Sequence, residues 1–253
     1  MPYYSGQGKL LVANAVNGVP GAFRRLFDVG ELTVTADIEV EEVQENESGG
    51  RLTSLRLQGK KATSFSFKLR HFTDRNVAMM LYSTASVIAA STATNQVAPN
   101  PLAVGDFWRL PHQRVSSVVI TDSAGSPATL TLNTHYRISS ADHGTIEILN
   151  LAALVQPFKA AYSYAAVVNI PMFTTGIVEM WLRFEGLNTA NSNEPVLVEL
   201  YRCAMDPVRN LELINNKAWE GDMQGSALYD ETKVADPVLG SFGRAVNLHA
   251  AIT

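Results

Sequence analysis

The chain has 253 residues, 46% of them hydrophobic and 17% charged, with a formal net charge of −4. That length can bury a sizeable core in one or two domains. The mildly acidic balance excludes a nucleic-acid binder of the ordinary basic kind, because phosphate would be repelled rather than held, and the single cysteine, Cys203, excludes an internally disulfide-stapled scaffold.

The start, Met1 to Lys9, has no apolar signal core. The most apolar long window, Leu149 to Ile170, is broken by Gln156, Pro157 and Lys159, which is poor for a membrane span. A soluble product folding in a cytoplasm is expected. Lys9 to Ala13 read as a short strand, Asn17 to Gly21 as a turn, and Phe23 to Phe27 as the lead into a long hairpin.

That hairpin is the organising element. Leu32 to Val40 alternate apolar and polar, Glu42 to Thr53 form a polar tip around Gly49-Gly50, and Ser64 to Arg70 alternate again. Strand side chains point to opposite faces in turn, so Leu32, Val34, Ala36, Ile38 and Val40 share one face, and Phe65, Phe67 and Leu69 share another. The pattern predicts one buried side and one polar side. Charge is segregated along it. From Asp28 to Glu47 every charged residue is acidic, including Asp37, Glu39, Glu41, Glu42 and Glu45. From Arg51 to Arg75 nearly all are basic: Arg51, Arg56, Lys60, Lys61, Lys68, Arg70 and Arg75, with Asp74 the exception. Two readings fit: a solvated face with cross-strand ion pairs, or acidic and basic arms that meet neighbouring copies of the chain. A tip this long costs ordering entropy, and a partner subunit is one thing that could hold it.

After the hairpin, Thr73 or Asp74 is an N-cap for a short helix with Val77, Met80 and Leu81 on one face. Residues 84–105 are small and polar and read as a linker. From about Val104 to Ala166 short strands follow closely: Phe107 to Leu110, Val115 to Thr121, Thr129 to Leu132, Tyr136 to Ile138, Thr145 to Leu149 and Ala160 to Val168. They suggest a small all-β module at 104–166, inserted between a first part at 1–95 and a second at 167–253. In that second part Ile177 to Glu185 and Glu194 to Ala204 are strands, 206–240 mix strand and loop, and Phe242 to Leu248 could close a sheet edge.

No catalytic motif emerges. Gly6-Gln7-Gly8 lacks the third glycine and the helix of a dinucleotide fingerprint, and Gly59-Lys60-Lys61 lacks the rest of a phosphate loop. The histidines His71, His112, His135, His143 and His249 show no metal-ligand spacing; His135 and His143 flank a turn near Asp142 and read as surface residues. Cys203 reads as a small core residue. The carboxylates of the hairpin lack an enclosing apolar pocket that would shift a pKa. No enzyme, cofactor or metal site is expected.

The long hairpin, the helix Thr-Asp-Arg-Asn-Val-Ala-Met-Met-Leu and the later strands resemble the major tail tube proteins of long-tailed, siphovirus-like bacteriophages, whose fold is shared with the tube protein of type VI secretion. Val118 to Asp122, His135 to Ile138, Gly144 to Ile148 and Ala161 to Ala166 look like a β module met in such virion proteins, a segment that simpler tube proteins lack. Glu220 to Met223 and on to Asp230 to Thr232 are similar to the segment before the last tube strand. The resemblance implies a mainly β, tail-tube-type sandwich or barrel with a flanking short helix. It also implies hexameric rings stacked into a tube through which DNA passes without specific binding. Asp37, Glu39 and Glu41 would face the lumen, the tip from Gln44 to Arg56 (with Glu45, Asn46, Glu47, Ser48, Gly49, Gly50 and Arg51 at its centre) would reach an adjacent ring, and Arg56, Lys60, Lys61, Lys68 and Arg70 would form a basic interface arm. Partners would be further copies and other tail proteins such as terminator, tape measure and distal tail protein, and the location the virion tail. A second function class stays open: a two-domain β binding module whose insertion recognises glycan or a host surface through Trp108, Tyr136, Tyr162 and Tyr164 as a stacking platform, although the alternating pattern suggests that some of these are core instead.

Overall fold

A computed structural model describes residues 3–234 and 236–248; His249 lies outside the described residues. The fold is mainly β, 50% strand and 4% helical, with several antiparallel sheets and one short α-helix. In chain order the strands are β1 (Gly6–Val16), β2 (Val19–Pro20), β3 (Arg24–Arg25), β4 (Val29–Gln44) and β5 (Thr53–Leu69), followed by helix α1 (Asp74–Met80). Then come β6 (Ser86–Ile88), β7 (Ser91–Val97), β8 (Phe107–Arg109), β9 (Val115–Thr121), β10 (Tyr136–Ser140), β11 (Thr145–Ile148), β12 (Lys159–Tyr164) and β13 (Val167–Asn169). The last are β14 (Glu179–Asn188), β15 (Glu194–Met205), β16 (Gly221–Ala227) and β17 (Gly243–Asn247). Two compact units result: Met1–Thr84 with Ile170–Thr253, and Ala85–Asn169.

The first unit is built on one sheet in the order β2-β1-β14-β15-β16-β5-β4, with β17 beside β15 and β3 beside β1. Among the described residues the sheet does not close into a barrel. The free edge of β15 is divided: β16 pairs with Cys203 to Met205, and β17 with Val196 to Leu200. One face carries the core, where Leu10, Val12, Phe65, Phe67, Leu69, Leu182, Leu200 and Met223 pack together. Helix α1 covers it with Val77, Met80 and Leu81, the spacing read from sequence. The Thr73 side chain accepts from the Asn76 backbone N–H, satisfying one of the orphan donors of the first turn. Cys203 is fully buried here, and burial pushes its thiol up to about 12, so it is a core residue without nucleophilic character.

Ala13, Trp181 and Tyr201 form a smaller cluster with Phe23 and Leu239. Lys233 seals it: its ammonium donates to the Gly18 carbonyl at 2.8 Å, lies 3.0 Å from the Asp230 carboxylate, and sits over the Trp181 and Tyr201 rings. The segment after β16 is thereby tied back to the β1–β2 turn.

The second unit packs two three-stranded sheets, β10-β11-β8 and β7-β12-β9, around Trp108, Leu110, Ile120, Ile146, Ile148 and Phe158. The expectation of a linker at 84–105 is corrected here. Ser91–Val97 is a strand paired along β12, and Ser86–Ile88 pairs with β13. Serine and threonine concealed it: Thr92 and Thr94 are exposed while Ala93 packs against the core, a half-buried strand that turns only Ala93 and Gln96 inward. Thr129 to Leu132, read as a strand, contributes only isolated bridges.

Candidate assembly surface: the projecting hairpin

β4 and β5 pair antiparallel from Val29↔Leu69 to Gln44↔Thr53. β16 covers β5 only from Thr63 to Leu69, so the outer part of the hairpin has no further strand beside it. At ~3.3 Å per residue, Thr53 to Ala62 reach roughly 30 Å past that point. β4 pairs with β5 alone and is the edge strand of the sheet.

This geometry corrects the expectation of one buried side. Phe65, Phe67 and Leu69 are buried and Leu32 is half-buried, but Val34 is 41% and Ile38 49% exposed. The alternation is real; what fails is the inference that something covers it, because the core ends where β16 ends. Directly paired residues share a face. Val34 faces with Phe65, Ala36 with Thr63 and Ile38 with Lys61, which places Asp37, Glu39 and Glu41 together on the opposite, non-core face, all exposed.

A bulge in β5 then changes which partners accompany them. The register shifts between Ile38↔Lys61 and Val40↔Gln58, so one more residue is spent on β5 than on β4. Beyond it Glu41 pairs with Leu57 and Val43 with Leu55. Leu55 and Leu57 therefore leave the face of Phe65 and Phe67 and join the acidic one. A strict period of two from Leu55 to Leu69 hides this, and Gly59, at the bulge, is the one sequence signal for it. The other face keeps Ile38 and Val40 beside Arg56 and Gln58, around a recess of about 280 Å3.

The basic arm divides likewise. Lys68 pairs with Glu31 at 2.7 Å and Arg70 with Glu220 at 2.8 Å, so the two residues at the root are committed within the chain. Glu31 adopts φ 50° where β4 itself bulges, which aims its carboxylate at Lys68. Arg56 lies 3.9 Å from Glu42, both well exposed, a pair worth at most ~1 kcal/mol. Among the described residues Lys60, Lys61, Asp37, Glu39 and Glu41 form no ion pair. Intramolecular pairing accounts for the root of the arm, and the middle is left unpaired.

The tip is ordered from within. The Glu45 carboxylate accepts from the backbone N–H groups of Glu47 and Ser48, both at 2.8 Å, from the Ser48 hydroxyl, and from Leu52 at 3.3 Å. Gly49 and Arg51, at φ 77° and 50°, turn the chain back. The hydroxyl of Ser48, followed by these backbone donors, pulls the Glu45 carboxyl down to about 2. A carboxylate depressed in this way stabilises the tip above its ordinary range near 4.5, and loses that contribution as pH falls through about 2. Amide protection at Glu47, Ser48 and Leu52 should hold at pH 4 and fade toward pH 2. Glu45→Ala should abolish it at neutral pH while leaving the core amides unchanged, and hydrogen exchange read by NMR checks both. Asn46, Glu47, Ser48, Gly49, Gly50 and Arg51 are all exposed at the tip.

The aromatic platform expected on the second unit is overturned. Trp108, Tyr136 and Tyr162 are only 2–3% exposed and fill the core, because β8, β10 and β12 each turn their aromatic inward. Tyr164 is half-buried and stacks on His112, rings 3.8 Å apart. His135 and His143 do not approach as ligands; the Nδ1 of each is used in its own turn, His135 accepting from the Thr131 N–H and His143 bonded to the Ser140 hydroxyl. Among the described residues no group of three or more His, Cys, Asp or Glu is placed to hold a metal ion, and no helix is long and apolar enough to cross a membrane.

Fold and surface together define a β-rich protein with an unpaired, projecting two-stranded arm. Residues 3–246 match the family described as "Protein of unknown function UCP028589", and the chain belongs to that family. No curated protein matches the chain.

Proposed function

We propose that the protein is a structural subunit that assembles with copies of itself into stacked hexameric rings, forming the tail tube of a phage virion. The single observation behind this reading is the hairpin. A 16-residue edge strand with its outer half uncovered and aliphatic side chains exposed is an aggregation hazard in a lone molecule. In a ring each such edge finds a partner, the hazard disappears, and the unpaired Lys60 and Lys61 gain acidic neighbours. The opposite face suits a channel wall. Asp37, Glu39 and Glu41 repeat every ~7 Å along the strand, where exposed like charges repel by only about 0.6 kcal/mol per pair in water. Copies brought round a passage would add these fields and keep DNA phosphates from sticking. Rings would contact one another through the tip at Glu45 to Arg51, and other tail proteins would cap the stack.

Concentration-dependent sedimentation of the purified protein, followed by negative-stain microscopy, tests this reading. Annular or tubular particles are expected. A species that stays monomeric under tail-assembly conditions would rule it out. The burial of Trp108, Tyr136 and Tyr162 removes the surface on which a glycan-binding reading rested.

A further inference from the structure

The sheet of the first unit carries a knob at one end of β15 and a socket at the other. The knob is the tip of the loop from Asp206 to Glu220, which leaves the C-terminal end of β15. Leu213 and Ile214 sit there side by side, 81% and 97% exposed. Single exposed aliphatics are ordinary, but two adjacent ones held out on a loop mark a contact surface. The socket is a recess of about 360 Å3 at the opposite end, with Leu187, Val196, Leu197 and Leu248 as its apolar wall and the Arg183–Glu185 ion pair beside them. Gly8 and Gly186, in register on β1 and β14, line its floor. Their missing side chains make room for the Phe184 ring: a Cβ on Gly8 would come within 2.4 Å of the Glu185 carbonyl, and one on Gly186 within 2.3 Å of that ring. The volume is at the low end of the range that holds a small apolar ligand, and two branched side chains fit it.

Val196 and Met205 bracket the strand between them, nine residues apart or about 30 Å. A knob and a socket at opposite ends of one rigid strand point to a head-to-tail contact between copies. Charge agrees: Lys9 lines the socket, Glu212 precedes the knob, and among the described residues neither forms an ion pair. We infer that Leu213 and Ile214 of one copy insert into the Gly8–Gly186 recess of the next, with Glu212 meeting Lys9, so that each subunit gives one knob and receives one. Contacts of this heterologous kind close into rings when the rotation permits. The inference deepens the assembly reading and rests on it, while being separate from the hairpin.

Two single variants test it in the full chain: Ile214→Glu, which spoils the knob, and Leu187→Glu, which spoils the socket. Both positions are exposed, and circular dichroism checks that the fold is kept. Each variant alone should self-associate about thirty-fold more weakly than the wild type, as for a central apolar anchor. Mixed one to one they should associate more tightly than either variant alone, because one partner keeps its socket and the other its knob. Wild-type assembly that persists in both variants overturns this contact and leaves the tube reading standing. Loss in Leu187→Glu with Ile214→Glu unaffected gives the recess to another occupant, such as a small apolar ligand, and overturns it as well. So does failure of the mixture to pair. A wild type that is monomeric throughout overturns both readings.

Discussion

Replacing Val43–Leu55 by Asn-Gly is expected to yield a folded, soluble protein that forms no tubes. The substitution keeps Glu42 opposite Arg56, the pair that would flank the new turn, and Asn-Gly supplies the positive φ angles of a two-residue hairpin. Everything removed is exposed except the partly covered Glu45, and none of it belongs to the core. Stability of the body should therefore change by no more than about 0.5 kcal/mol. Stacking should be lost completely, since ring-to-ring contact is assigned to this segment, while contacts within a ring are kept. Thermal unfolding and electron microscopy of the same preparation separate the two effects. Tubes of normal length from the shortened protein would remove the tip from the assembly surface. A large fall in melting temperature would show that the hairpin braces the body.

The largest effect on stability is expected at Glu199. Its side chain is about 5% exposed and is held on both sides: Arg183 Nη1 donates to Oε1 at 2.7 Å, and Arg244 donates to Oε2 at 2.9 Å from Nε. The three residues stand abreast on β14, β15 and β17 through the pairs Arg183↔Glu199 and Glu199↔Arg244. Removing the carboxylate leaves two half-buried guanidiniums facing each other. Breaking one side of a buried pair costs ~3–5 kcal/mol, and partial exposure of the arginines favours the lower end. Glu199→Ala should therefore lose about 3 kcal/mol, a drop of roughly 6–12 °C for a domain of this size. β17 should be the first strand to lose amide protection, because Arg244 is its anchor. By contrast, Arg56→Ala, which breaks only the exposed 3.9 Å pair with Glu42, should move the melting temperature by no more than about 4 °C.

How much of this was legible depends on which interaction decided each element. Helix α1 was, with its cap narrowed to Thr73 or Asp74 and its buried face named, because capping and 3.6-residue spacing are local. So were β9, identical in extent to its reading, and most of β14 and β15, because long alternating runs carry their own signal. β7 was missed because the residues it turns inward are Ala93 and Gln96 and its outward ones include Thr92 and Thr94, so the hydrophobic contrast that marks a strand is absent. The hairpin was found and its faces half misread. Alternation states which side chains go together, not whether a third strand will lie over them, and β16 covers only the root. The crossing of Leu55 and Leu57 to the acidic face follows from one extra residue near Gly59, a register event that no period-two count contains. The internal bracing of the tip by Glu45 was open to sequence reading, since an acidic side chain followed by Ser and Gly is ordinary turn chemistry. The socket at Gly8 and Gly186 was not, because two glycines far apart in sequence meet only through strand pairing.

The most direct measurement is a cryo-electron microscopy map of the assembled protein, with attention to where β4 points. A tube subunit should place Asp37, Glu39 and Glu41 on the wall of a continuous central passage, with β4 edges joined between copies and tips touching the next ring. Particles whose passage is lined by other strands, with those three carboxylates on the outer surface, would contradict it.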